Sequence, residues 1–241
     1  LVADHLADVA NPLFQKVEDG DVITFADSWV AALSYTFQLY FDFSGYSDMA
    51  IGLALMFGFK LPINFFSPYK SRSIADFWRR WHMTMSSFFR DYLYIPLGGS
   101  RGGRPRTIIN LLLTMSLVGL WHGAGWTFII WGALHGVYLS LHRLYRWTIG
   151  DRLPVCLDKS RLYSAAAHSL TFLAVIVAWV IFRSASWHDA QSILQSMFGF
   201  NGIVVPNKLY AALPLLQGQL IPMSDGPKWL TAPLWSFAAI F

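Results

Sequence analysis

Seven histidines are the side chains of this 241-residue sequence best suited to moving protons near neutral pH: His5, His82, His122, His135, His142, His168 and His188. His122 stands apart by its surroundings. It lies in Gly119-Leu-Trp-His-Gly-Ala-Gly-Trp126, where glycines interrupt an apolar run and let a substrate or another segment approach the backbone closely. An ionisable residue at such a place is a candidate base for stripping a proton from a nucleophile. On these features alone a packed side chain is an equal reading. His82, in Phe77-Trp-Arg-Arg-Trp-His-Met83, sits among aromatics and arginines, a composition that equally suits an interfacial anchor helix. His135, in Trp131-Gly-Ala-Leu-His-Gly136, either lines the same cavity as His122 or bonds to a backbone carbonyl, and the second is the simpler expectation. His5, His142, His168 and His188 fall in polar loops or at the ends of apolar runs and take no role.

Other chemistries find less support. Asp42 and Asp48 are six residues apart, an offset that does not stack two side chains on one helix face. A paired-carboxylate mechanism is therefore weak, and each acid is expected to bond inside a helical bundle, with the basic residues of 70–90 as natural partners. No metal site is expected: there is no His-x-x-Glu-His pattern, and the lone Cys156 excludes an internal disulfide and a cysteine-based zinc site. There is no Gly-x-Ser-x-Gly elbow, and Gly98-Gly-Ser-Arg-Gly-Gly103 lacks the Lys-Ser/Thr ending of a phosphate-cradling loop. The arginines of 72–106 suit the phosphate of an anionic donor such as phosphopantetheine or coenzyme A, but positive-inside topology and lipid headgroup contact explain them more simply.

The elements that must position these residues read as membrane segments. Only 13% of residues are charged and 55% are hydrophobic, against about 25% charged in soluble domains. The net charge of +4 sits between apolar runs, so topology rather than nucleic acid accounts for it. Residues 28–59 form an apolar stretch long enough to span, although it holds Asp42, Tyr46 and Asp48. Residues 60–107 form a basic amphipathic or re-entrant segment, with one amphipathic helix over 73–93 and Ser73 as its N-cap. Residues 107–144 are a broken helix pair. The first piece, 107–121, would be about 22 Å long and short of a ~30 Å hydrocarbon core. Basic residues flank the pair on both sides, so a bent or re-entrant arrangement with its apex at 119–125 is expected. Residues 164–183 are a clean span, 184–228 a loop with short helices, and 229–241 a truncated span. The chain starts at Leu1 and stops inside an apolar run, and reads as an internal stretch of a longer protein. The expected fold is all-α: a polytopic transmembrane helical bundle with amphipathic and re-entrant helices.

Five ordered blocks carry a resemblance: Gln38-Leu-Tyr-Phe-Asp-Phe-Ser-Gly-Tyr-Ser-Asp-Met-Ala-Ile-Gly52, Asn64-Phe-Phe-Ser-Pro-Tyr69, Phe77-Trp-Arg-Arg-Trp-His82, Arg90-Asp-Tyr-Leu-Tyr-Ile-Pro-Leu-Gly-Gly99 and Gly119-Leu-Trp-His-Gly-Ala124. Together they resemble the alginate O-acetyltransferase branch of the membrane-bound O-acyltransferase (MBOAT) family, without its amino-terminal spans. Val177-Ala-Trp-Val-Ile-Phe-Arg183 is similar to the span that follows in that branch. The resemblance implies an MBOAT-type bundle in the bacterial inner membrane, crossing it several times amid membrane lipids. It implies transfer of an acetyl group from acetyl-CoA or another acyl thioester, with no tightly bound cofactor, toward an extracytoplasmic acetyltransferase partner and a polysaccharide acceptor such as alginate. The family's signature histidine matches His122, and its second polar position matches His82. Arg79, Arg80, Asp42, Asp48, Tyr46 and His135 are candidate contacts for substrate or donor. D-alanyl transfer to teichoic acid is the related alternative; a transporter or channel, and a purely structural subunit, are the rival readings.

Overall fold

The computed structural model describes residues 1–149, 160–205, 207–212 and 218–222, and most of them are helical. In chain order the elements are α1 (Val2–Glu18), α2 (Phe25–Met56), a 3-10 turn (Pro68–Lys70), α3 (Ile74–Trp78), α4 (Met83–Phe89), a π-turn (Arg90–Tyr94), α5 (Gly103–His122), α6 (Trp126–Thr148), α7 (Arg161–Arg183), α8 (Trp187–Met197), β1 (Ile203–Val205), α9 (Asn207–Ala212) and β2 (Leu220–Pro222). They divide into two units, Leu1–Asp42 with Arg183–Phe241, and Phe43–Phe182. Cys156 and the expected span 229–241 lie outside the described residues.

In the first unit α1 buries Ala10, Phe14 and Val17, one face at helical spacing. Phe14 meets Tyr35 of α2 edge-on at 5.9 Å. Arg183 lies over the Phe14 ring at 5.1 Å and reaches Asn11 (3.2 Å) and Glu18 (3.4 Å). Ser186 and Asp189 form a reciprocal capping box that starts α8 inside the segment expected as a loop. Beyond it β1 and β2 pair in parallel, with Ile203 opposite Leu220. The all-α expectation is thus corrected to a mainly helical chain with one small strand pair; strands of three residues are too short to declare themselves by alternation.

The second unit is built on a helical hairpin. Helix α5 has 20 residues and α6 has 23, about 30 and 35 Å at 1.5 Å per residue. The shorter piece inferred from hydropathy missed the first turn of α5, where Arg104, Pro105 and Arg106 hide the helix start. The two helices touch along glycines. Gly119 and Gly132 face each other so closely that a Cβ on Gly119 would strike the Phe128 carbonyl oxygen, and one on Gly132 the Met115 carbonyl oxygen. A Cβ on Gly136 would come within 2.9 Å of the Leu112 Cα. Gly119 therefore sits inside α5 as a contact residue rather than in the break. The chain turns through 123–125, where Gly123 is extended and Gly125 precedes α6.

The single amphipathic helix expected over 73–93 is divided. Ser73 does cap α3 by accepting from the Asp76 N–H at 3.1 Å, but the helix ends at Trp78 and His82 takes a left-handed conformation (φ 44°, ψ 54°). The cause is a tertiary exchange of backbone hydrogen bonds: Phe66 N–H donates to Arg80 O at 2.9 Å, and Met83 N–H donates to Asn64 O at 3.0 Å. Among the described helices α7 alone is both long and apolar enough to cross a membrane. On the second-unit part of α2, Tyr46, Met49, Leu53 and Met56 form a stripe at helical spacing, each more than half exposed.

Candidate active site

His122 is the last residue of α5, and its imidazole is half-buried at the mouth of the hairpin. Three rings wall it edge-on: Trp121 at 4.9 Å, Trp131 at 5.2 Å and Phe182 of α7 at 5.2 Å. Phe128 meets Phe182 at 5.0 Å and covers Gly123, where a side chain would force the Phe128 ring aside. The His122 ring nitrogens make no hydrogen bond to a described residue, so both remain available to a ligand.

His82 approaches from the broken segment. Its ring lies edge-on to Phe43 at 4.8 Å and near Phe65 at 6.5 Å. Its Nδ1 is 3.1 Å from Asn64 Oδ1. That oxygen also accepts from the Thr84 backbone N–H (3.2 Å) and the Thr84 hydroxyl (3.0 Å). An N–H can only donate, so the Asn64 atom facing it is the carbonyl oxygen, and His82 must bring its proton on Nδ1. The Nε2 lone pair is then free. Burial pushes the His82 pKa down to about 4, and His122 lies close enough to act in the same direction as a second positive charge. His82 is therefore neutral across the physiological range, with its tautomer set.

His135 is fully buried. It does not bond to a backbone carbonyl, as expected from the sequence; its Nδ1 accepts from Trp78 Nε1 at 3.3 Å. Its ring stacks on Phe77 and meets Trp131 at 5.0 Å. His135 Nε2 and the indole nitrogens of Trp131 and Trp179 are buried without a partner among the described residues. Through Trp131, His135 stands behind His122 rather than beside it.

Arg79, Arg80, Asp48 and Tyr46 make no hydrogen bond, ion pair or ring contact with His82 or His122. Arg80 pairs with Asp76 at 3.0 Å and lies over the Phe66 ring at 5.4 Å, so its charge is spent locally. Arg79 is exposed and close to His142 on α6. Asp42 and Asp48 are exposed, and Asp48 bonds to no described residue of its unit, which corrects the expectation that it pairs within 70–90. Tyr46 belongs to the exposed apolar stripe of α2. Sequence reasoning missed Asn64, Trp131 and Phe182. Only Asn64 left a signal, as a short amide between Ile63 and Phe65 in an aromatic-rich loop. Among the described residues no cluster of three metal-ligating side chains occurs.

Two half-buried imidazoles with free lone pairs, one at a glycine hairpin and one held by an amide, suit a proton-transfer centre walled by aromatic rings. The model of the membrane-bound O-acyltransferase family matches residues 5–151, and the chain belongs to that family. It is 48% identical over 203 residues to a peptidoglycan O-acetyltransferase of Helicobacter pylori, covering 84% of this chain and 37% of that protein. It is 49% identical over 216 residues to a probable alginate O-acetylase of Azotobacter vinelandii, covering 90% of this chain and 41% of that protein. A teichoic acid D-alanyltransferase of Bacillus subtilis is 32% identical over 162 residues, covering 64% of this chain and 40% of that protein. The chain thus spans about two-fifths of the length of these relatives.

Proposed function

We propose that this chain carries the acyl-transfer centre of a membrane O-acyltransferase that O-acetylates a polysaccharide, with His122 as the general base and His82 as its companion. What supports this reading is that His82 and His122, 40 residues apart in sequence, come near enough for the charge of one to act on the other, each against its own aromatic rings. The acceptor hydroxyl gives its proton to His122 as its oxygen attacks the thioester carbonyl carbon. The carbon–sulfur bond then breaks, and the leaving thiolate takes the proton back from the imidazolium. His82 holds its only ring proton toward Asn64 and offers Nε2 as an acceptor. It can therefore orient the acceptor only by accepting from a second hydroxyl beside the attacking one, and it does not donate to the carbonyl oxygen.

The donor in this reading is acetyl-CoA or another acyl thioester. The acceptor is a polysaccharide such as alginate, reached with an extracytoplasmic acetyltransferase partner. The full-length protein is a polytopic helical bundle embedded in lipids of the bacterial inner membrane. The identity to O-acetylating relatives, near 50%, favours acetyl over D-alanyl transfer, for which the identity is 32%. The test is full-length protein in inverted membrane vesicles, given acetyl-CoA labelled in the acetyl group. Base-labile label is expected in polysaccharide; equal labelling by vesicles without the protein overturns the reading.

Asn64 supplies a sharper check on the role of His82. Asn64→Ala frees the imidazole to change tautomer and is expected to slow transfer about tenfold, the worth of one lost tautomer-fixing hydrogen bond. Asn64→Asp keeps the acceptor and should restore most of the rate. Its negative charge favours protonated His82 and raises that pKa, so the acid limb of the pH–rate profile should move to higher pH. A purely structural Asn64 would leave that limb in place.

A further inference from the structure

The second unit contains a cleft of about 510 Å³ lined by Lys70, Arg72, Arg161, Ser164, Ala165 and His168. Its two walls come from chain segments some ninety residues apart in sequence. Arg161, Ser164, Ala165 and His168 form one face of the first turns of α7, at spacings of three and four residues. Lys70 and Arg72 flank the 3-10 turn, and the turn is held rigidly. Pro68 and Ser71 are buried, and the Ser71 hydroxyl donates to Pro68 O at 2.6 Å. The Tyr69 ring packs on Phe77 at 6.4 Å and Phe172 of α7 at 5.5 Å. With Tyr69 and Ser71 turned inward, Lys70 and Arg72 are exposed toward the cleft they line.

Three permanent cations and a histidine therefore face one volume. Lys70, Arg72 and Arg161 make no ion pair with any described residue, and no acid is among the described lining residues. Like charges gathered this way repel unless an anion occupies the space between them. Arginine presents a planar fork of donors that matches phosphate oxygens two at a time, Ser164 adds a hydroxyl, and the amino end of α7 adds its first-turn N–H groups. The volume lies within the range of small-molecule sites. The cleft also connects to the candidate active site through packed rings: His168–Phe172, Phe172–Tyr69, Tyr69–Trp81, Trp81–Phe65 and Phe65–His82, each 5.0–6.5 Å between centroids.

We propose that Lys70, Arg72, Arg161 and His168 form a binding site for a phosphate ester. Two sources present that chemistry at the basic face of this chain, the headgroup of an anionic phospholipid and the phosphates of a phosphorylated acyl donor. The site stands on the cleft and its charges and not on the acyl-transfer reading, which supplies only the second source. It also replaces Arg79 and Arg80 as the cationic contacts for such a donor.

The test uses full-length protein in detergent and measures binding rather than turnover. Acetyl-CoA affinity is read by equilibrium dialysis, and phosphatidylglycerol against phosphatidylcholine by native mass spectrometry. The double variant Arg72→Ala/Arg161→Ala is compared with Arg72→Lys/Arg161→Lys, which keeps the charge, and with Arg101→Ala, an exposed arginine outside the cleft. Loss of acetyl-CoA affinity by about tenfold or more, with phosphatidylglycerol retained, identifies the donor's phosphates. Loss of phosphatidylglycerol adducts with acetyl-CoA unchanged identifies a lipid headgroup. In either case the lysine pair should recover part of the binding, which also shows that the fold is intact. Binding of both ligands unchanged, or weakened equally by Arg101→Ala, overturns the site. That result leaves the acyl-transfer reading untouched, because His122 and His82 are assayed separately by transfer.

Discussion

Replacing His122 by alanine is expected to lower acyl transfer by about 10²–10⁴-fold, the usual contribution of a positioned general base. The protein should still insert and fold. The side chain is half-buried at the end of α5, makes no hydrogen bond to a described residue, and meets the rings of Trp121, Trp131 and Phe182 edge-on. Truncation there leaves a void open to the site rather than a closed cavity, so the stability cost should be small. His122→Gln separates size from basicity: it restores a polar side chain of similar reach but cannot take the proton, and should be as inactive as alanine. Mass analysis of surface polysaccharide from cells carrying each full-length variant reads the result. Normal acetylation in both would assign this chain a structural role beside a separate transferase.

The second large effect concerns the hairpin that carries His122. Gly119→Ala and Gly132→Ala each add one methyl group at a place already filled by backbone, the Phe128 carbonyl for the first and the Met115 carbonyl for the second. A flexible neighbour could turn away, but a helix carbonyl cannot, so α5 and α6 must separate along their length. Overpacking of this kind typically costs about 1–3 kcal/mol and occasionally more; with backbone as the obstacle the upper end is expected. The two changes open the same contact, so the double variant should cost less than the sum of the singles. Gly45→Ala is the control. It lies inside α2 with nothing within 4 Å of its added Cβ, and alanine in a helix interior is favoured by roughly 0.5–1 kcal/mol. Thermal unfolding of detergent-purified protein should therefore show a lower midpoint for Gly119→Ala and Gly132→Ala and an equal or higher one for Gly45→Ala. Equal midpoints for all three would mean that the hairpin contact is not made.

The division between what was legible and what was hidden follows the range of the interactions involved. Composition alone excludes an ordinary soluble domain, since too few charged residues exist to coat one. The Gly-Leu-Trp-His-Gly-Ala-Gly string marks His122 as the candidate base, because glycine, aromatic and imidazole types in a row constrain local backbone and local chemistry at once. The Ser73 cap was equally legible, as a signal between residues three apart. What distance hides is different in kind. The break at His82 arises because Asn64 and Phe66 compete for the backbone groups that a helix over 73–93 would have used. The start of α5 is masked by charged residues that hydropathy counts against a helix. Arg79 and Arg80 looked like anion contacts, yet one is spent on Asp76 and Phe66 and the other lies near His142.

His122 as a candidate, the mainly helical character and the family membership were therefore legible in the sequence itself, because residue type and short-range spacing suffice for them. Only the tertiary structure decided the form in which His82 is held. Asn64, eighteen residues before His82, settles on which nitrogen that imidazole carries its proton, and the fold around 64–66 settles the left-handed backbone that presents it. It also decided that Lys70 and Arg72 share a cleft with Arg161 and His168. Charge can be counted along a chain, but whether a charge is neutralised by a neighbour or left facing an empty volume depends on contacts made across long stretches of sequence.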